Sequence, residues 1–124
     1  MSDNEIGSVG WMDMSTEDAV GVSRFYSEVV GFQLAPTDMG GYEDFTLVAP
    51  GTRSPVAGVC HARGPNEDFP GGWLPYFIVT DLDRSLQKCH ELGGKTLIES
   101  RSYGDGRYCV VQDPGGTATA LYQA

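Results

Sequence analysis

The feature that most constrains the fold of this chain is a repeat of its element order at a spacing of about 63 residues. Three pairs of like residues keep that spacing: Asp18 and Asp81, Gly31 and Gly94, and Val48 and Val111 (81 − 18, 94 − 31 and 111 − 48). A Pro-Gly pair follows each copy at a spacing of 64 (114 − 50), so the second copy has gained one residue. Two copies nearly fill the 124 residues, which predicts two equivalent structural modules.

The first copy begins with an alternating strand pattern at Val9–Met14 and continues with a helix pattern over residues 16 to about 30. Ser15, followed three residues later by Asp18, resembles a capping box and predicts the helix start. The spacing i, i+3, i+4, i+7 predicts one buried helix face made of Val22, Phe25, Tyr26 and Val29. Strand patterns then follow near residues 32–35, 42–48 and 56–61.

The second copy repeats this order after a loop-like stretch at residues 62–72 that is rich in proline and glycine. Residues 73–80 read as a strand, and Asp81 is expected to cap a helix. The apolar stripe expected on that helix is Leu82, Leu86, Cys89 and Leu92. Further strands are expected near residues 95–98, 107–112 and 117–122.

The order strand, helix, three strands, written twice, predicts an α+β fold of two tandem βαβββ modules. Module 1 spans about residues 6–61, the linker spans residues 62–72, and module 2 spans about residues 73–124. The whole chain, residues 1–124, is expected to be one domain. A lone module leaves one face of its sheet bare. We therefore expect the two sheets to curl into a half-open barrel with the helices outside and a concave cleft that binds a small molecule.

Charge and composition exclude several classes of partner. The formal net charge is −9, from 17 acids against 8 bases, which argues against nucleic acid and anionic lipid and favours a cationic ligand. No apolar run approaches the roughly 20 residues that span a bilayer, and no signal-peptide pattern opens the chain. The expected location is the cytoplasm, and three widely spaced cysteines (Cys60, Cys89 and Cys109) without a CxxC pair fit a reducing compartment.

A set of short motifs across both copies resembles the vicinal oxygen chelate superfamily, which includes glyoxalase I, extradiol dioxygenases and bleomycin-resistance proteins. The matching stretches are Asp18-x6-Phe25-Tyr26-x4-Gly31-Phe32, Val79-Thr80-Asp81-Leu82, Leu92-Gly93-Gly94, Gly106-Arg107 and Asp113-Pro114-Gly115-Gly116. Trp73-Leu74-Pro75-Tyr76 and the spacing of Gly106-Arg107 to Asp113-Pro114 are most similar to the uncharacterised glyoxalase-like branch. The resemblance implies the paired-module fold and a homodimer.

The resemblance also implies where metal ligands would stand, because members with metal chemistry place a His on the first strand and a Glu on the last strand of a module. Counted along the chain from the matching motifs, the two positions fall on Trp11 and on Ala57 or Gly58 in module 1. In module 2 they fall on Leu74 and Ala120. Indole, methyl and isobutyl groups supply no suitable lone pair. No metal cofactor is therefore expected.

These positions predict instead an aromatic-walled ligand pocket with one carboxylate. By strand alternation Asp13 shares a face with Trp11, and Tyr76 and Tyr122 share faces with Leu74 and Ala120. His61, at a strand end beside the linker, could reach the pocket mouth. Trp11 is alternatively plain core if the strand register is shifted by one residue, and Asp13 is alternatively a solvated strand-end residue.

Three functions follow as hypotheses. The first is metal-independent binding of a small aromatic or cationic molecule, of the bleomycin-resistance type. The second is an enzyme of the same superfamily (a lyase, isomerase or dioxygenase-like protein) that uses Asp13 in acid–base catalysis, its pKa raised if the side chain is buried. The third is metal-dependent chemistry through unconventional ligands such as Asp13, His61 and Gln123.

Overall fold

A computed structural model describes residues 5–124 of the chain. Its helices and strands, in chain order, are β1 (Val9–Thr16), α1 (Ala19–Val30), β2 (Gln33–Asp38), β3 (Glu43–Val48), β4 (Pro55–His61), β5 (Gly72–Ile78), α2 (Leu82–Glu91), β6 (Lys95–Tyr103), β7 (Gly106–Gln112) and β8 (Ala118–Gln123). A short 3-10 turn, Gly64–Asn66, lies between β4 and β5. The α+β class and the order βαβββ, repeated once, are confirmed.

The chain divides into two compact units, and the division falls within β1. The N-terminal unit is Met12–Trp73, and the C-terminal unit combines Leu74–Ala124 with the described residues up to Trp11. No helix in residues 5–124 is long and apolar enough to cross a membrane.

The N-terminal unit contains the strand order β2-β3-β4-β1, with β4 and β1 parallel and the other pairs antiparallel. Helix α1 covers one face of these strands, over a core of Ala19, Leu47, Ala57 and Val59. Met12 of β1 packs against the same core, together with Val22 and Tyr26 of α1.

Two features predicted for α1 are wrong. Phe25 is 55% exposed and Val29 is 65% exposed, because the helix buries the stripe that begins at Ala19 and Ser23 instead. Ser15 does not cap the helix, since it is a buried residue of β1. The N-cap is Asp18, whose Oδ1 accepts a hydrogen bond from the Gly21 amide at 2.9 Å.

The C-terminal unit contains the strand order β5-β8-β7-β6, with β5 and β8 parallel and the other pairs antiparallel. Helix α2 begins after Asp81, whose Oδ1 accepts from the Arg84 amide at 3.2 Å. Leu82 of this helix packs against Cys109 and Val111 of β7, with Leu86 and Cys89 of the helix beside them. Leu92, predicted to be part of this stripe, is 73% exposed because α2 ends at Glu91.

Residues before β1 extend the strands of the C-terminal unit. The Gly7 amide donates to the carbonyl of Ile78 at 2.8 Å, and the Ile78 amide donates to the carbonyl of Ser8 at 2.9 Å. This short segment therefore lies alongside the end of β5, close to the side of the strands that α2 covers.

Candidate functional site

The strands of the C-terminal unit present one face to α2 and an opposite face that carries most of the predicted pocket residues. Cys109 and Val111 pack under α2, so alternation places Tyr108 and Val110 of β7 on the opposite face. Strand pairing aligns Tyr76 with Ala120 and Ala120 with Val110. We call this surface the aromatic face, and its residues are Leu74, Tyr76, Tyr108, Val110, Ala120 and Tyr122.

The aromatic face is closely packed. Leu74, Tyr76 and Tyr122 are each at most 5% exposed. The rings of Tyr76 and Tyr108 lie 5.9 Å apart between centroids, and Tyr103 meets Tyr108 edge-on at 6.3 Å. Tyr103 is exposed, so tyrosine rings run from the interior of the unit out to solvent. Tyr103 and the half-buried Tyr108 are therefore the rings against which a planar molecule can stack.

A glycine makes room for one of these rings. A Cβ added to Gly106 would lie 2.5 Å from Tyr122 Oη, 2.7 Å from Tyr122 Cζ and closer still to the carbonyl oxygen of Gln123. The backbone of Gly106 therefore forms the wall against which the Tyr122 hydroxyl rests.

The predicted pocket residue Trp11 is half-buried near the start of β1. Met12 packs into the core under α1, so alternation places Trp11 and Asp13 on the side of β1 that faces away from α1. Trp11 therefore does not pack under α1, as it would if the strand register were shifted by one residue.

The N-terminal unit also has a sheet face opposite its helix, and this face is acidic. Ala57 and Val59 belong to the α1 core, so Gly58 and Cys60 project from the other side of β4. Strand pairing aligns Asp13 with Gly58. We call this surface the carboxylate face, and its residues are Asp13, Ser15, Asp44 and Cys60.

Asp44 is the buried carboxylate of this face, at 7% exposure. Its Oδ1 accepts a hydrogen bond from the His61 amide at 2.8 Å, and its side chain also hydrogen-bonds to the Cys60 thiol. Burial raises the pKa of Cys60 far above its usual range, and the negative charges of Asp13 and Asp44 raise it further. The Cys60 thiol is therefore a neutral hydrogen-bond donor and not a nucleophile.

His61 does not join Asp13. It follows Cys60 on β4 and so projects from the opposite side of the strand. Its ring lies edge-on to Tyr42 at 5.4 Å, and the Arg63 guanidinium carbon stands 4.1 Å from the centre of the same Tyr42 ring. His61 belongs to an aromatic and cationic cluster at the end of β4.

The side chains at the family's metal-ligand positions do not fit a divalent ion. On β4 the position facing away from α1 is Gly58, since Ala57 packs in the core. Leu74 and Ala120, on the aromatic face, are 3% and 0% exposed and have no donor atoms in their side chains. Within residues 5–124 no group of three or more His, Cys, Asp or Glu side chains could hold a metal ion.

Gln123, which was considered as an unconventional metal ligand, already makes hydrogen bonds to other residues of the C-terminal unit. Its Oε1 accepts from the Leu82 amide at 2.7 Å and from Arg107 Nη2 at 3.5 Å. Gln123 therefore holds the first turn of α2 against β8.

Sequence reasoning missed Tyr108, Asp44 and Cys60 as members of these faces. The signal for Tyr108 was present, since it alternates with the buried Val110 on β7. The positions of Asp44 and Cys60 depend on the pairing of β3 with β4, in which Phe45 aligns with Val59. That pairing is not encoded by either strand alone.

Comparison with known proteins identifies the group to which these features belong. The family model described as a glyoxalase-like domain matches residues 11–122. The glyoxylase-named protein CFP32 of Mycobacterium bovis is 28% identical over 120 residues, covering 95% of this chain and 46% of the relative. The anthracycline biosynthesis protein DnrV of Streptomyces peucetius is 31% identical over 118 residues, covering 94% of this chain and 42% of the relative.

A solved structure shows the same fold. It is a glyoxalase/bleomycin resistance protein/dioxygenase superfamily member from Vibrio splendidus, with 19% identity and a TM-score of 0.61 over 91% of this chain and 96% of that one. At this identity the likeness concerns the fold alone. The chain spans less than half the length of the curated relatives that it matches.

Proposed function

This chain belongs to the glyoxalase-like domain family, and we propose that it binds a small, planar, positively charged molecule on its aromatic face without the help of a metal ion. In this respect it would act as bleomycin-resistance proteins are expected to act, by holding a ligand and not by transforming it. The observation that carries the proposal is the aromatic face itself, on which leucine and alanine stand at positions where metal-dependent members have ligands.

Three physical features support planar and cationic ligands. The exposed Tyr103 and the half-buried Tyr108 offer ring surface at the edge of the aromatic face, and stacking against aromatic rings stabilises a complex by about 0.5–1.5 kcal/mol per pair beyond area burial. Ring faces also attract cations. The net charge of −9 raises the local concentration of cationic molecules around the protein.

The names of two relatives suggest a first probe. DnrV and DauV are both named anthracycline biosynthesis proteins, and an anthracycline is a fused-ring planar compound. We propose an anthracycline as the test ligand because its shape suits the aromatic face, and we propose no biosynthetic step for this chain.

The test is a titration of intrinsic tryptophan fluorescence with the anthracycline. The chain has two tryptophans, and Trp73 serves as the matched control because its Nε1 hydrogen-bonds to the hydroxyl of Tyr26 in the N-terminal unit. Trp11 belongs to the same unit as the aromatic face and lies on β1, the strand next to β5. Trp11→Phe should therefore remove most of the saturable quenching, whereas Trp73→Phe should retain it. Undiminished quenching in the Trp11 variant would count against the assignment of Trp11 to the ligand site.

A second candidate function is acid–base catalysis through Asp13. The carboxylate face supports this candidate, because it places Asp13 in the strand next to Gly58 and Cys60, with the buried Asp44 close by. An enzyme of this kind should lose its turnover, but not its ligand affinity, in Asp13→Asn. Equal turnover in that variant at every pH would remove the candidate.

A further inference from the structure

On the side of the C-terminal unit that α2 covers, a groove of about 890 Å³ runs beside the helix, and it lies on the opposite side of the strands from the aromatic face. We propose that this groove is a second binding site, and that it takes a carboxylic acid with an apolar chain. This proposal is independent of the function proposed for the aromatic face.

The floor of the groove is apolar. Val79, Val111 and Leu121 line it from the ends of three strands, and Ile6 and Leu92 lie at its margins. Ile6 is 62% exposed and Leu92 is 73% exposed, and both are among the most exposed large apolar side chains of the chain. An apolar ligand in the groove would cover side chains that are otherwise in water, with a gain of about 25 cal/mol for each Å² of apolar surface removed from solvent.

The helix side of the groove carries two cations one turn apart, Arg84 and Lys88. Lys88 already pairs with Glu91, at 3.1 Å from Nζ to the carboxylate oxygen. The guanidinium of Arg84, by contrast, has no hydrogen bond or ion pair with any side chain of residues 5–124. A planar guanidinium can bind both oxygens of a carboxylate at once.

The two acids that line the groove, Asp81 and Asp113, keep their negative charges, but each already accepts backbone hydrogen bonds. Asp81 caps α2 through its Oδ1. Asp113 accepts from the amides of Gly115 and Thr117 at 2.8 and 3.1 Å in the turn that follows β7. The guanidinium of Arg84 is therefore the charged group of the groove that has no partner within residues 5–124, and it stands beside an apolar floor.

This combination identifies the ligand class by its chemistry. A cationic amphiphile would fill the floor but offer no acceptor to the guanidinium donors of Arg84. A neutral alcohol would fill the floor but leave the guanidinium without an anionic partner. A carboxylate with an apolar chain satisfies both parts of the groove.

The experiment is a binding titration with decanoate, decanol and decyltrimethylammonium, each below the concentration at which it forms micelles. Calorimetry gives the affinity, and methyl NMR gives the place of binding. Neighbouring residues of β7 serve as reporters, because Val111 lines the groove while Val110 lies on the aromatic face. We expect decanoate to bind most tightly and to shift the methyl signals of Val111 and Leu121 but not those of Val110.

Variants at one position test the role of the charge. Arg84→Gln should weaken decanoate binding about tenfold, as expected for the loss of one charge-assisted pair at an exposed site, and Arg84→Lys should restore part of the affinity. Arg24→Gln, an exposed arginine on α1 of the other unit, is the matched control and should bind as the parent chain does. Ser85→Trp should block the groove sterically, since Ser85 lines it.

Three results would overturn the proposal. They are decanol or decyltrimethylammonium binding as tightly as decanoate, unchanged decanoate affinity in Arg84→Gln, or methyl shifts confined to Val110. Circular dichroism and thermal unfolding of each variant separate a lost site from a lost fold. The Arg84→Gln variant should still bind the anthracycline, because Arg84 lies away from the aromatic face. Measuring anthracycline binding in this variant therefore tests the two proposed sites separately.

Discussion

Replacing Gly106 by alanine should destabilise the chain and displace one tyrosine of the aromatic face. The new Cβ would lie 2.5 Å from Tyr122 Oη and closer still to the Gln123 carbonyl oxygen. The hydroxyl can move when the Tyr122 ring turns, but the carbonyl cannot move without the backbone. It belongs to β8, where Gln123 pairs directly with Arg107 of β7.

The size of the effect follows from these distances. Overpacking of a well-packed interior costs about 1–3 kcal/mol, and a clash with paired backbone belongs in the upper part of that range. We therefore expect the free energy of unfolding of Gly106→Ala to fall by about 2–3 kcal/mol. For a chain of 124 residues this corresponds to a melting temperature lower by about 10 °C.

Urea denaturation followed by circular dichroism measures this loss directly. Gly51→Ala is the matched control, because a Cβ there meets no atom within 4 Å, and its stability should change by no more than about 0.5–1 kcal/mol. The double variant Gly106→Ala, Tyr122→Phe should recover only part of the loss, since it removes the hydroxyl but not the carbonyl contact. If Gly106→Ala is as stable as Gly51→Ala, the close packing of Tyr122 against β7 is refuted.

Three further predictions concern the core, the thiols and metal ions. Leu47→Ala should lower the free energy of unfolding by about 2–5 kcal/mol because Leu47 is fully buried, whereas Val29→Ala, at a 65% exposed position, should change it by less than about 1 kcal/mol in the same urea titration. Burial raises the pKa of Cys109 from 9.0 to about 11, so the unfolded chain loses this thiol proton at a lower pH than the folded chain does. The free energy of unfolding should therefore fall as the pH rises from about 9 to 11, and it should fall less steeply in Cys109→Ala. In a thermal scan of chelator-treated protein, no specific shift is expected with Mn²⁺, Fe²⁺, Ni²⁺ or Zn²⁺. An ion that binds specifically should stabilise the folded chain by roughly 2.7 kcal/mol when its concentration is 100 times its dissociation constant. A saturable increase of this size in the free energy of unfolding with one ion would contradict metal independence.

Local sequence signals determined the elements of this protein. Asp18 and Asp81 accept hydrogen bonds from the first turns of α1 and α2, and Gly31 ends α1 in the left-handed conformation, with φ of 98°. These features depend on interactions within a few residues of each other, which a sequence states directly. Their recurrence at a spacing of 63 residues was enough to give the order βαβββ twice.

Strand alternation determined which side chains share a face, once the strands themselves were correct. Tyr76 and Ala120 fall on one face because the period of a strand is two residues, and their pairing in β5 and β8 shows them side by side. For α1 the periodic signal was ambiguous, since apolar residues occur around most of the helix. Phe25 and Val29 fitted a buried stripe as well as Ala19 and Ser23 did, yet only the second pair is buried.

Only the tertiary structure decided how separate strands and helices meet. The contact of Asp44 with Cys60 requires the alignment of β3 with β4, and the groove at Arg84 requires α2, three strand ends and the segment before β1 to converge. Such contacts join residues far apart in the chain, and they follow from the packing of whole elements. A sequence specifies that packing only through the combined energies of many contacts, whereas a cap or an alternating strand is specified by its immediate neighbours.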